Sequence, residues 1–246
     1  SYSATVFRGN LLFAADMISG DGIFMLKEAP TSNAQLAYPG NDYFTEFGTI
    51  KMLGAGMNNS DLDAEQWTRT YGFVTGVCSG DETNRLLALR SYLQRIRFHR
   101  PGRDEMIMMN TWGDRGQDTR LNEEFALAEL EAGSKLGITH FQLDDGWQSG
   151  RSGNSAFQGG SFADIWKNPD YWVPDPVKFP HGLRPVVEKG KQLGIDICLW
   201  FNPSPDNHNG NWEKDADALI RLYREYGICT FKIDGVKMPD KESEVN

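Results

Sequence analysis

From Met106 to Lys237 the chain alternates short apolar runs with segments of helical period. The runs are MIMMNTW, LGITHFQLDDGW, LGIDICLWFNP and YGICTFKIDG. Between them, apolar or small residues recur at steps of three and four: Ala126, Leu127, Leu130, Gly133 and Ser134, then Leu183, Val186, Val187 and Gly190, then Ala216, Leu219, Ile220 and Tyr223. Such spacing marks one face of a helix. Glu123 and Glu124 suit the positive end of the first helix dipole. Each helix closes on Gly-Ile, at Gly137, Gly194 and Gly227, where a glycine takes the left-handed conformation at no steric cost. A strand follows each time. This alternation predicts a parallel sheet with right-handed crossovers. The fold class expected is α/β, with four βα units that make the first half of a (β/α)8 TIM barrel. Neither GxGxxG nor GxxxxGK[ST] occurs, which weakens a doubly wound nucleotide fold.

The front of the chain has another pattern. LLFAADMI, GIFMLKEA, DYFTEFGTIKML and QWTRTYGFVTGV are bounded by Gly, Asn, Asp and Ser, and SGDG between the first two is a hairpin-type connection. They read as four strands of an antiparallel sheet or of part of a β-sandwich. Next, Ser79 and Glu82 have the spacing of a capping box, and Leu86, Leu89, Leu93 and Ile96 have helical spacing. HRPGRD ends that helix. The pattern places a domain boundary near this helix.

Composition narrows the partners. The 246 residues are 39% hydrophobic, with a formal net charge of -9 and a mean hydropathy of -0.50. The acidic balance argues against nucleic acid, and no apolar run reaches the length of a membrane span. The basic cluster LRSYLQRIRFHRPGR lies on a helix and its exit, and reads as a solvated face. Cys78, Cys198 and Cys229 have neither metal-type spacing nor an even count. The opening SYSATVFRGN lacks both a Met and a long apolar core, so neither a signal peptide nor a native start is expected. None of this fixes a compartment.

The chemistry gathers where the strands end. In parallel α/β folds, sites lie at the C-terminal ends of strands, and Trp112, Asp144, Asp145, Trp147, Trp200, Asn202, Lys232 and Asp234 all fall there. In FKIDG, alternation places Lys232 and Asp234 on one face, with Phe231 and Ile233 on the other. The pair is either an internal salt bridge or a site in which the lysine keeps the aspartate ionised. In LDDGW, adjacent acids need compensation, by polyol hydroxyls or a divalent metal, unless they merely form a turn. Trp200 is either core or a stacking face for a sugar ring. His140 lies in a strand and no HExxH occurs, so a zinc site is not expected. GRSGNSAFQGGSF reads as a lid or a flexible insertion.

Taken in order, FQLDDGW, KFPHGL, LWFNP and FKIDG resemble the α-galactosidases of glycoside hydrolase family 36, a clan with families 27 and 31. The resemblance implies a retaining α-glycosidase, an α-galactosidase acting by double displacement. By the same resemblance, residues 1–80 are expected as the C-terminal part of a sandwich, 81–103 as a linker helix, and 104–246 as the N-terminal half of a barrel. Asp234 matches the nucleophile, and Lys232 the lysine that bonds sugar hydroxyls. Asp144 and Asp145 match the aspartates that bind the 4- and 6-hydroxyls of galactose, and Trp200 matches a sugar-contacting tryptophan. Trp112 and Trp147 join them as substrate-binding candidates. The resemblance implies no metal and no organic cofactor. It also implies that the general acid/base comes from a later strand, beyond Asn246, and hence an incomplete, inactive fragment. The partners expected are an oligosaccharide or glycoside substrate and a homo-oligomer, without nucleic acid or membrane.

The chain departs from the family's K-W-D-x-N motif, with Ile233 at the Trp and Val236 at the Asn. Asn202 stands where Glu is common. DGVK is similar to the raffinose-synthase-like branch, so galactosyl transfer stands beside hydrolysis. A non-catalytic sugar-binding protein on the same scaffold and a metal-dependent barrel enzyme are the other readings.

Overall fold

The computed structural model describes residues 3–113 and 116–246. The chain divides into two compact units, residues up to 99 with 237–245, and 100–236 with Asn246.

The first unit contains two three-stranded antiparallel sheets. One runs β1 (Thr5–Phe7), β4 (Tyr43–Glu46), β5 (Thr49–Met52), and the other β2 (Leu11–Ala15), β3 (Gly22–Glu28), β6 (Gly72–Cys78). SGDG does join antiparallel neighbours, in register from Leu11↔Leu26 to Ala15↔Gly22. DYFTEFGTIKML, expected as one strand, is a hairpin. It turns at Phe47 and Gly48, both with positive φ, a conformation that hairpin turns require. Phe24 and Tyr43 are buried, and the Tyr43 hydroxyl lies 2.7 Å from Asn10 O and 2.9 Å from Met25 O. A buried ion pair joins Lys27 to Asp42.

Helix α1 (Glu82–Ile96) is capped by Asp81, which accepts from Asn84 N at 3.1 Å. The cap expected at Ser79 lies two residues too early, because the residue immediately before the first helical position does the capping. The stripe of Leu86, Leu93 and Ile96 is exposed. Tyr92 ties the helix to the sheet instead, with its ring 6.3 Å from Phe24 and its hydroxyl 2.6 Å from Glu28 Oε1. The one-turn helix α6 (Lys241–Val245) also belongs to this unit.

The second unit is built on a four-stranded parallel sheet. Its strands β7 (Met108–Asn110), β8 (His140–Leu143), β9 (Asp196–Phe201) and β10 (Thr230–Ile233) lie side by side in chain order. The helices between them are α2 (Glu123–Lys135), α3 (Arg184–Leu193) and α5 (Trp212–Tyr226). A further short segment, α4 (Asp206–Asn209), is wound left-handed at Asn207, His208 and Asn209. The core joins Phe141, Leu143, Leu199 and Phe201 to Ala126 and Leu130 of α2, and to Val186 and Val187 of α3. All three glycines that end α2, α3 and α5 are left-handed, with φ of 74° at Gly137, 70° at Gly194 and 76° at Gly227.

One helical face differs from the reading of the pattern. α5 buries Asp215, Ala218 and Leu222, while Ile220 and Tyr223 are exposed. The carboxylate of Asp215 accepts from Trp166 Nε1 at 2.9 Å and from Ser204 N at 3.0 Å. A buried acid satisfied in this way can occupy a core position, so hydrophobicity alone misplaces the face.

Candidate functional site

Strand register assembles the polar residues. Asn110 is the register partner of Gln142, and Trp200 that of Lys232. In-register neighbours in a parallel sheet project on the same side. Asp144 follows β8 directly, and Asp234 follows β10.

The centre of the cluster is the Lys232 ammonium. It lies 3.0 Å from Asp144 Oδ2, 3.4 Å from Asp144 Oδ1 and 3.3 Å from Asp234 Oδ2. Asp144 is buried, and its Oδ2 also accepts from Asn110 Nδ2 at 2.8 Å and Gln142 Nε2 at 2.9 Å. Its Oδ1 accepts from Asp145 N at 3.0 Å, and its own N–H donates to Thr111 Oγ1 at 2.9 Å. Asp145 is held separately, by Gln148 Nε2 at 2.8 Å and by the Ser152 hydroxyl. The compensation that adjacent acids require thus comes from protein donors.

Asp234 is the more open acid, its side chain 45% exposed against 2% for Asp144. Oδ2 accepts from Trp200 Nε1 at 3.1 Å, and Oδ1 from Gly235 N at 2.8 Å. Burial raises the pKa of Asp234, but the bonds from Trp200 and Gly235 and the charge of Lys232 outweigh it and leave the carboxyl below its ordinary value. For Lys232, burial favours the neutral amine, yet the bond and charge of Asp144 and the charge of Asp234 prevail and raise its pKa. Burial pushes the Asp145 carboxyl up, against the bonds from Ser152 and Gln148.

Gly235 explains the glycine of FKIDG. Its φ is +70°, and a Cβ there would lie 1.9 Å from Asn202 Oδ1. Asn202 is itself buried and donates to Pro203 O at 2.8 Å.

The structure therefore brings together Asp144, Trp200, Lys232 and Asp234. Asp145 is next in the chain but bonds to other partners. Trp112 is half-buried in the turn after β7, its N–H 2.7 Å from Asn110 Oδ1. Two of the candidate tryptophans are covered. Trp147 is 0% exposed and Trp200 1%, because Trp172 packs on both, with centroids at 6.1 and 5.8 Å. Trp147 Nε1 donates to Trp200 O at 2.9 Å. Ile233, on the face opposite Lys232 and Asp234, is exposed.

The loop GRSGNSAFQGGSF is anchored. Ser152 is buried against Asp145, and Asp118 accepts from Ser155 Oγ at 2.7 Å and Ala156 N at 2.8 Å. Sequence reasoning missed Asn110, Gln142, Gln148 and Ser152. Gln142 had a readable signal, since it stands two residues before Asp144 on the same strand face. Among the described residues, no three His, Cys, Asp or Glu side chains are grouped so as to hold a metal ion.

A parallel α/β sheet with an acid–lysine–acid cluster at its strand ends is the class that the fold and site define. A family model described as Melibiase matches residues 79–223, and the chain belongs to that family. Asp144, Asp145, Trp147 and Trp200 fall inside the matched range, and Lys232 and Asp234 follow it.

Among curated relatives, an α-galactosidase of Escherichia coli is 31% identical over 139 residues, 52% of this chain and 17% of that protein. A probable α-galactosidase C of Aspergillus terreus is 30% identical over 116 residues, 44% of this chain and 14% of that protein. The chain thus spans about a sixth of the length of these relatives. Among solved structures, the α-galactosidase of Lactobacillus brevis aligns with a TM-score of 0.57 at 16% identity, over 98% of this chain and 40% of that one. The family 36 α-galactosidase AgaB of Geobacillus stearothermophilus aligns with a TM-score of 0.56 at 16% identity, over 95% and 40%. The likeness to family 36 α-galactosidases drawn from the strand ends stands on these matches.

Proposed function

We propose that this chain carries part of the active site of a retaining α-galactosidase, with Asp234 as the nucleophile. The observation that carries the reading is the setting of Asp234. It is a partly open carboxylate at a strand end, with three donors that favour its anion. An acid meant to attack an anomeric carbon must be ionised near neutral pH. The four parallel strands in chain order support a scaffold that is the first half of a (β/α)8 barrel. The names of the relatives support an α-galactoside as substrate.

In this mechanism Asp234 attacks the anomeric carbon, and a glycosyl ester forms while the leaving oxygen takes a proton from a second carboxyl group. Water then gives a proton to that second group, now a carboxylate, and attacks the anomeric carbon of the ester, so that Asp234 leaves as a carboxylate. Retaining enzymes keep the two carboxyl groups roughly 5–5.5 Å apart. Family resemblance assigns the second group to a strand other than the four described. Lys232 presents a donor to sugar hydroxyls beside the attacked carbon, and Asp144, whose carboxylate is bonded within the protein, holds that ammonium in place. Asp145 and Trp112 line the same strand ends.

The test is covalent trapping. A slow fluorinated α-galactoside is incubated with a complete enzyme that carries this chain together with the strand bearing the second carboxyl group, and the labelled peptide is mapped by mass spectrometry. Label on Asp234 is expected, and label on another carboxylate would overturn the assignment. In that complete enzyme, Asp234→Gly should lose turnover of natural substrates. With azide it should regain turnover of an activated substrate and give the inverted product, because one displacement is gone.

A further inference from the structure

The geometry points to Trp200 as a positioning residue for Asp234 rather than a platform for the sugar. This rests on the reading of Asp234 as nucleophile. The indole Nε1 of Trp200 lies 3.1 Å from Asp234 Oδ2. Its register partner Lys232 reaches the same oxygen at 3.3 Å. The two donors stand side by side because adjacent strands are in register. A carboxylate oxygen has two lone-pair sites, so Trp200 and Lys232 together occupy Oδ2. Oδ1 accepts only the Gly235 N–H among the bonds described, which leaves it a lone pair for attack.

Two aromatic rings pack on Trp200, which is buried. Phe162 packs at 6.3 Å and Trp172 at 5.8 Å between centroids. Trp147 holds the backbone carbonyl of the same residue at 2.9 Å. A ring so enclosed offers its N–H edge to Asp234 and no face to a ligand. The charged groups that bear on Asp234 are Lys232 directly and Asp144 through Lys232.

The test is nuclear magnetic resonance of the indole N–H groups in this chain near neutral pH. Triple-resonance experiments assign the Trp200 signal, and its loss in Trp200→Phe checks the assignment. In Asp234→Ala that signal should move upfield and its proton should exchange faster. The Trp147 signal, bonded to a backbone carbonyl, should stay in place as the control. In Trp200→Phe, the carbon-13 signal of the Asp234 carboxyl should titrate at higher pH than in the unaltered chain. A Trp200 signal that ignores Asp234→Ala, or an Asp234 midpoint that ignores Trp200→Phe, overturns the proposal. Should Trp200→Phe fail to fold, the Asp234→Ala comparison decides alone. Neither measurement uses turnover, so failure here is distinguishable from failure of the glycosidase reading.

Discussion

Lys232 and Asp144 are 88 residues apart in the chain, and their side chains meet at 3.0 Å. The contact closes one end of the parallel sheet by joining the last strand to the turn after the second. Asp144 is buried while Lys232 is 36% exposed, so the two ends of the pair differ in what their loss costs. Removing the partner of a buried charge is destabilising, by about 3–5 kcal/mol when both are buried. Solvent around Lys232 screens the pair, so Lys232→Met is expected to cost about 1–3 kcal/mol. Adding Asp144→Asn should cost less than the sum of the single changes, because the stranded charge is then gone. Urea unfolding of the four proteins measures this, and strict additivity would deny the coupling.

Asp234 and Asp145 should respond to pH with opposite signs. The Asp234 carboxyl is lowered in the fold, so its ionised form adds stability above the ordinary value of 3.8. That contribution is lost as pH falls through the lowered folded value. Asp234→Asn should therefore be less stable at pH 6, with the gap closing below about pH 4. The Asp145 carboxyl is raised, so its ionisation opposes folding above the raised value. Asp145→Asn should gain on the unaltered chain as pH rises from 4 to 8. Thermal unfolding from about pH 2 to about pH 8 covers both windows and distinguishes the two slopes.

Gly235→Ala should be destabilising for two reasons that can be separated. A left-handed backbone costs a non-glycine residue roughly 1–2 kcal/mol, and the new Cβ would overlap Asn202 Oδ1. Overpacking of that kind costs about 1–3 kcal/mol. Adding Asn202→Ala should recover the second part only. If Gly235→Ala is as stable as the unaltered chain, the turn is not as described.

Ser152→Ala should loosen the loop from Gly150 to Phe162. It removes a hydrogen bond to a buried carboxylate, which costs about 1–3 kcal/mol. Limited proteolysis should then cut between Gly153 and Gly160 faster than in the unaltered chain. An unchanged rate would mean that the bonds to Asp118 hold the loop without Ser152.

Much of the second unit was legible in the sequence, because its signals are local. Gly-Ile after each helix fixes where a strand begins, and two-residue alternation in FKIDG puts Lys232 and Asp234 on one face. What was not legible depends on contacts between distant residues. The stripe on α5 was misplaced because Asp215 is buried by bonds to Ser204 and Trp166. For Trp200 the sequence left core and sugar-stacking face open, and Trp147 was a substrate-binding candidate only by its place at a strand end. The packing of Trp172 on both, and of Phe162 on Trp200, shows them covered. The pairing of Asn110 with Gln142 needed the register of β7 on β8, which no single strand encodes. In the first unit, the hairpin at Phe47 and Gly48 lacked the Asn-Gly or Asp-Gly signal of a tight turn.

One ammonium shared by two acids works as a balance. At rest, the positive charge of Lys232 is divided between Asp144 and Asp234, and neither acid holds it alone. When Asp234 becomes an ester in the proposed reaction, its pan of the balance empties and the ammonium settles wholly on Asp144. When water frees the carboxylate, the weight returns. The lysine thus favours departure of Asp234 as an anion in the second step as well as its readiness in the first. A single residue would serve both halves of the cycle without moving further than the width of a hydrogen bond.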